Sequence, residues 1–402
     1  MTSVGTERAI LAVVVFITLF AQVFLYPGLD GLVTALGAET GLDAGMWFLA
    51  AEFGAFIVFA VFWGYLSDRA GARVPFIAIG SLGAAVCYLV LAIGGTLGSF
   101  SFETVLLLRV VQGACTIGAF SLAMTMLMDL AGGHGQNMGA AGIAIGAGAA
   151  LGAPVGGVLS GIGPLVPLYT AGGMFLLILP MVLLVVHDRA PHSDRPRMRR
   201  VFSDVLEHPA LSLPYAFGFV DRLTAGMFSL VGVFYFGDQF GLDPMGVGLM
   251  LMLFFGPFAL LQYPFGILSD RIGRLIPVVG GSICYGLGIM AVGMTPDLWV
   301  IGALMLGIGI FGAFVSPATM ALVTDIAPHV RRGTAMGGFN IAGSLGFLTG
   351  ILLGGMLADT YGYPAAFLVV GSLEIIIALV ALPFFYIFAI ENVPQLRPSF
   401  GS

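Results

Sequence analysis

Six ionisable side chains stand inside long apolar runs: Asp30, Glu52, Arg109, Asp221, Arg222 and Glu374. An ionised group is costly in such surroundings, so each is a candidate for function. Two kinds of chemistry are open to them. Burial disfavours the charged form of a carboxyl and a neighbouring arginine favours it, so an acid held between the two can load and release a proton. Asp30, Asp221, Glu52 and Glu374 are candidates for that role. The arginines can clamp an anionic solute or bias a nearby acid. Gln22, Gln112, Gln262 and Asn340 are uncharged polar residues of the same runs and could line a solute cavity with Arg109 and Arg222.

Other chemistry is poorly served. The five histidines, at 134, 187, 192, 208 and 329, fall in polar connections, and Cys87, Cys115 and Cys284 are scattered through apolar runs. Neither set has the spacing of a metal site or a disulfide framework. No Gly-Lys-Ser/Thr phosphate loop is present, so direct use of ATP is not expected. Nothing resembles a nucleophile–base pair. The residues therefore point away from an enzyme, from a bound metal or cofactor, and from a nucleic-acid partner.

The elements that must carry these residues follow from composition. The chain is 59% hydrophobic and 9% charged, against roughly 25% charged residues in soluble domains. Lipid is the solvent that tolerates so much apolar surface. Runs of about 20 apolar residues are long enough to span. They are predicted at 9–36, 46–66, 74–95, 102–128, 139–161, 164–186, 211–237, 245–268, 275–294, 298–322, 335–358 and 364–390. The first is too long for the core of a signal peptide and reads as a retained helix. A polar stretch with Arg189, Arg195, Arg197, Arg199 and Arg200 divides the spans six and six, with a short amphipathic helix expected at Val201–Glu207. The expected domains are a six-helix bundle at 1–186, a linker at 187–210, and a second bundle at 211–402 with a short tail. No sizeable extramembrane domain is left to act as a sensor or scaffold.

Arginine placement orients the chain. With both termini in the cytoplasm, Arg8, Arg69, Arg73, the five linker arginines, Arg271, Arg274, Arg331, Arg332 and Arg397 share the inner side. The outer side carries Glu39, Asp43, Glu103, Asp238, Asp243, Asp297 and Asp359, and no arginine. The expected location is an inner or plasma membrane, crossed many times.

The halves repeat one another. Gly64-Tyr-Leu-Ser-Asp68-Arg69-Ala-Gly71-Ala-Arg73 returns as Gly266-Ile-Leu-Ser-Asp270-Arg271-Ile-Gly273-Arg274. Asp129, Met138-Gly139 and Gly156-Gly157 are echoed by Asp325, Met336-Gly337 and Gly354-Gly355. Two such halves suit a carrier with its site between them. Within each loop the glycines allow close approach, and Asp68 and Asp270 are placed to cap the next helix.

These residues resemble the major facilitator superfamily over nearly the whole chain. That family's loop signature is G-x-L-x-D-R-x-G-R-R; here Ala72 and Leu275 replace one arginine in each copy. Leu106-Leu-Leu-Arg109-Val-Val-Gln112-Gly113 resembles its fourth-helix R-x-x-Q-G. Gly148-Ala-Ala-Leu-Gly152-Ala-Pro154-Val-Gly156-Gly157 resembles its fifth-helix antiporter signature, with the proline one residue late.

The resemblance implies an all-α membrane protein of twelve transmembrane helices in two pseudo-symmetric bundles. It implies a monomeric secondary active transporter in which the loop copies act as a charge latch during alternating access. Protons would be the coupling ion, a small molecule the substrate, and antiport in the drug-efflux direction the mode. The alternative is a proton-coupled symporter or facilitator importing a nutrient or organic anion. The family arrangement brings helices 1, 4, 7 and 10 to one cavity, which favours Asp30, Arg109, Asp221 and Arg222 and leaves Glu374 on a peripheral helix. Asp30 and Arg109 both fall in the outer half of the bilayer and are expected to pair.

The one-sided arginines are directly testable. In a cysteine-free background, a cysteine at position 196 should be modified only from the cytoplasm and one at position 41 only from outside. Labelling of both from one side would refute the twelve-span orientation.

Overall fold

Backbone groups in lipid must be hydrogen-bonded within their own segment, which leaves helices as the spanning element for a chain with this pattern. The computed structural model describes residues 4–39, 41–131, 134–188, 209–328 and 331–391. Among these, twelve helices are long and apolar enough to cross a membrane, and there are no strands. The expected linker helix at 201–207, the five linker arginines, His192, His208, His329, Arg397 and the end of the tail lie outside the described residues.

In chain order the helices are α1 (Val4–Val23), the short α2 (Leu29–Ala35), α3 (Gly41–Ala70), α4 (Val74–Leu97), α5 (Phe102–Asp129), α6 (His134–Ile162) and α7 (Val166–Val185). After a 3-10 turn at Pro209–Leu211 come α8 (Ser212–Met227), α9 (Val233–Phe240), α10 (Pro244–Ile272), α11 (Gly281–Met294), α12 (Leu298–Ile326), α13 (Arg332–Tyr361) and α14 (Tyr363–Glu391).

Helix starts follow capping chemistry. Ser101 Oγ accepts from Thr104 N, and Asp297 Oδ1 accepts from Trp299 N and Val300 N at 2.8 and 3.2 Å. These side chains satisfy amide groups that have no partner in the first turn. Apolar side chains that miss the helix contacts point outward; Trp299 is 89% exposed, a face suited to lipid.

Two spans depart from a plain helix. The expected first span, 9–36, stops at Val23. Pro27 has no N–H to donate, and the chain turns through Tyr26 N→Val23 O and Leu29 N→Tyr26 O bonds, both 3.1 Å, before α2 begins. A methyl on Gly28 would collide with Ser160 at the end of α6, so the turn needs glycine there. In the seventh span, Phe228–Gly232 is π-helical and separates α8 from α9. Ser229 Oγ donates to Ala225 O at 2.8 Å, competing for a carbonyl that the regular ladder would use. A second π segment, Ile276–Gly280, precedes α11.

The chain forms two compact units: residues 1–193 with 232–252, and residues 194–231 with 253–402. The segment α9 and the start of α10 thus group with the first unit. Each unit has a helix pair packed backbone to backbone. In the first, Gly148, Gly152 and Gly156 of α6 lie against α1, and a methyl on Gly156 would collide with Phe24. Gly157 meets Pro244 and Met245 of α10 in the same unit, and Gly248 meets Ala153 and Pro154. The fifth-helix motif is therefore a packing surface on two sides. In the second unit, Gly346 and Gly350 of α13 abut the Phe219 and Leu223 carbonyls of α8, and Gly226 of α8 abuts Phe347. Close approach of this kind is how membrane helices associate without a hydrophobic drive.

A methyl at Gly350 should overpack α8 against α13 and cost about 1–3 kcal/mol. Gly307 of α12 has open space around it. Gly307→Ala should be neutral or stabilising, by up to about 1 kcal/mol. Melting temperatures of the two purified variants, measured side by side, check the contrast.

Candidate functional site

Each duplicated loop is local to one unit. In the first, Gly71 turns the chain at φ +67°, and in the second Gly273 does so at φ +84°; both lie in the left-handed region that favours glycine. Arg73 then reaches back across its unit. Its guanidinium bonds Asp129 at the end of α5 at 2.5 Å and lies 4.0 Å from Asp68. Arg274 repeats this, bonding Asp270 at 2.6 Å and Asp325 at the end of α12 at 3.0 Å. The two arginines stand at motif positions one residue apart, counted from Gly64 and Gly266, yet find equivalent acids. The paired aspartates explain the second repeat noted in the sequence.

The expected helix cap is different. The amides of Arg73 and Val74 are capped by Asp188 Oδ1, at 2.6 and 2.9 Å, rather than by Asp68. Asp68 and Asp270 are turned to the guanidinium instead, where the charge-assisted contact is stronger.

The first unit buries one complete ion pair. Glu52 on α3 accepts from Arg109 Nη2 on α5, and both side chains are fully buried. Arg109 also donates to Gln112 Oε1 at 2.5 Å and approaches the Phe48 carbonyl at 3.4 Å, with its guanidinium 4.1 Å from the Phe48 ring centroid. Gln112 Nε2 closes the ring to Glu52 Oε1 at 3.2 Å and to Thr116 at 2.7 Å. Gly113 is what lets α3 and α5 come this close, since a methyl there would lie 2.7 Å from the Glu52 carbonyl oxygen. Every part of Arg-x-x-Gln-Gly is thus occupied in one dry network.

The expected Asp30–Arg109 pair is not formed. Arg109 spends its donors on Glu52, Gln112 and Phe48, since a buried guanidinium needs its counter-charge within bonding distance. Asp30, in the first turn of α2, lines a cleft of about 270 Å³ with Ser160, Pro164 and, from α9, Asp238. Burial and the Asp238 charge raise the Asp30 carboxyl above its ordinary range, against a backbone hydrogen bond from Gly41. A raised value means this conformation favours the protonated acid. Its contribution is present at low pH and is lost as pH rises through the shifted value.

The second unit buries acids differently. Asp221 on α8 is 5% exposed and Glu374 on α14 is fully buried. Thr224, one turn beyond Asp221, donates to Glu374 Oε1 at 3.2 Å. Asp221 Oδ1 and Glu374 Oε2 have no hydrogen-bond partner among the described residues. Arg222 is half-buried and turned toward α13, where it packs against Gly343. Among the other candidates, Gln22 is buried with its amide nitrogen unpartnered, Gln262 is half-buried and Asn340 exposed. Sequence reading passed over Thr224, Tyr285 and Asp188. Thr224 had a signal, its i+3 spacing from Asp221 on one helix face; Asp188, contacting Arg73 from more than a hundred positions away, had none.

Twelve candidate spans and two compact units, each with a copy of one charged loop motif, describe a polytopic membrane protein. The chain belongs to the Major Facilitator Superfamily: the family's sequence profile matches residues 11–237 and 215–399. It is a multi-pass membrane transporter, and proteins of this family bind small-molecule substrates. An uncharacterised MFS-type transporter of Methanocaldococcus jannaschii is 40% identical over 135 residues, covering 32% of this chain and 34% of that protein. The multidrug resistance protein MdtG of Yersinia enterocolitica is 31% identical over 173 residues, or 41% of each. The chain thus matches well under two thirds of either relative. Among solved structures, the nucleoside transporter NupG aligns with a TM-score of 0.75 at 12% identity, covering 94% of this chain and 99% of that one. The human organic anion transporter MFSD10 aligns at 0.65 and 21%, covering 94% and 100%. At these identities the two structures bear on the fold.

Removing one partner of the buried pair should cost more than removing both charges. Arg109→Gln should destabilise by about 3–5 kcal/mol, and adding Glu52→Gln should recover much of that loss. Thermal unfolding of the two single variants and the double variant checks this; additive losses would show that the charges do not compensate one another.

Proposed function

We propose that the chain is a proton-coupled antiporter that exports a small solute through the cell membrane, with both termini in the cytoplasm. The observation that carries this reading is the asymmetry of buried charge. The first unit neutralises Glu52 with Arg109, whereas Asp221 is buried with an oxygen unpartnered on a helix interrupted by a π segment. An acid buried without a bonded counter-charge is suited to exchanging a proton as its surroundings change. Similarity to MdtG, a multidrug resistance protein, supports the outward direction. The loop latches serve as state-dependent clasps, because each joins the motif loop to a separate helix end through ionic contacts that can break. Rocking of the two six-helix halves, 1–186 and 211–402, would expose the substrate to either side in turn.

Import is the competing reading, and Arg222 favours it. The guanidinium is half-buried and makes no ion pair among the described residues, so it is available to an organic anion.

Everted membrane vesicles separate the two. Ethidium, uridine and a fluorescent organic anion are offered with and without an acid interior. Antiport predicts accumulation driven by the acid interior, abolished by Asp221→Asn, with counterflow retained. Accumulation that an acid interior suppresses, or that ignores the gradient in the unaltered protein, would overturn the export reading.

A further inference from the structure

Glu374 lies on the twelfth span, which the family arrangement would leave at the periphery, yet it is among the most thoroughly buried polar residues of the chain. Its surroundings are specific. Thr224 Oγ1 donates to one carboxyl oxygen at 3.2 Å and the other has no partner. Asp221 lies on the same face of α8 as Thr224, three residues earlier, and also has an unpartnered oxygen. Tyr285 of α11 completes the cluster. It is 1% exposed and lies close enough for Thr224 and both acids to act on it. The α11–α14 contact is tight at this level, since a methyl on Gly286 would press on Glu374 Cβ at 3.0 Å.

Among the described residues no cation bonds either acid, and the Arg222 charge reaches Asp221 only through space. Arg222 follows Asp221 in sequence but is rotated about 100° around the helix and packs on α13. The helices packed around the cluster add no other charge at this depth. On α12 the only charged residue is Asp325, at the C-terminal end, and α13 carries Arg332 at one end and Asp359 at the other. Cys284, next to Tyr285 on α11, is exposed. Two ionised carboxylates here would pay desolvation twice and repel each other, a state a protein avoids by keeping a proton on the pair.

We propose that Asp221 and Glu374, with Thr224 bonded to Glu374 and Tyr285 beside both, form a single two-carboxyl proton-binding site. The proton occupies an oxygen that now lacks a partner, and the two acids titrate as a unit. The site sits one turn before the π segment Phe228–Gly232, and the border between the compact units falls within that segment, after Val231. A π segment can revert to regular helix by shifting one residue. Such a shift carries Asp221 and Thr224 relative to Glu374, which is on another helix, and so separates the acids and frees the proton. This gives the antiport reading its proton carrier and rests on that reading for its role in transport, but the site itself can be tested without transport.

The measurement is infrared difference spectroscopy of the full-length protein in liposomes, titrated from acid to neutral pH in heavy water. The C=O stretch of a neutral carboxyl should persist at neutral pH. Asp221→Asn and Glu374→Gln should each abolish or displace it, Thr224→Val should shift it, and Asp30→Asn should leave it in place. Because Gln resembles a protonated Glu, Glu374→Gln should retain the melting temperature at neutral pH, which guards against a variant that merely misfolds. Absence of the band at neutral pH, or a band moved by only one of the two acid substitutions, would overturn the paired site. If the band behaves as stated but vesicle accumulation ignores the pH gradient, the proton site stands and the antiport reading falls.

Discussion

Taking an ionised side chain out of water costs several kcal/mol even after a protein relaxes around it, and a chain that is only 9% charged can afford few such groups. Wherever the structure buries one, it supplies a specific compensation. Arg109 receives Glu52 and an amide, Arg73 receives Asp129 and Asp68, and Arg274 receives Asp270 and Asp325. These contacts decide which helices must be neighbours. Gly113 allows α3 and α5 to approach because Glu52 and Arg109 have to meet, and the motif glycines turn each loop so that its arginine faces back toward a helix end. The cluster around Asp221 and Glu374 stands apart because it holds acids and hydroxyls but no bonded base.

Helix packing obeys a second requirement. Apolar side chains gain little by leaving lipid for one another, so contact has to come from close backbone approach. The α1–α6 and α8–α13 pairs meet this with glycine at helical spacing, which leaves no freedom for one partner to slide alone. Change of shape must then be taken up where the helices are irregular. The break after Val23 and the π segments at Phe228–Gly232 and Ile276–Gly280 are among the places of that kind.

The twelve spans and the duplicated loop were legible because hydropathy and repeats are carried by many residues at once. Single-residue effects were not. The break after Val23 depends on Pro27 and on the room left by Gly28 against Ser160, and an apolar run through both looks continuous. Glu52 lies outside the helices that the resemblance brings to the cavity, and which acid reaches Arg109 depends on a rotation that Gly113 permits. Asp30 was expected at the depth of Arg109 and does not pair with it, because depth along a helix says nothing about facing. The spacing of Asp221 and Thr224 was readable; the arrival of Glu374 from a helix 150 residues away was not.

The contact made by Asp188 bears on where this polypeptide can be cut. The hydropathy boundary after residue 186 looks like a clean end for the first bundle. A fragment ending there would lack His187, whose ring nitrogen lies 3.0 Å from Glu7 at the start of α1. It would also lack Asp188, which caps α4 at the motif loop. A split transporter, made as two chains and reassembled in the membrane, therefore needs its first piece to run past Asp188.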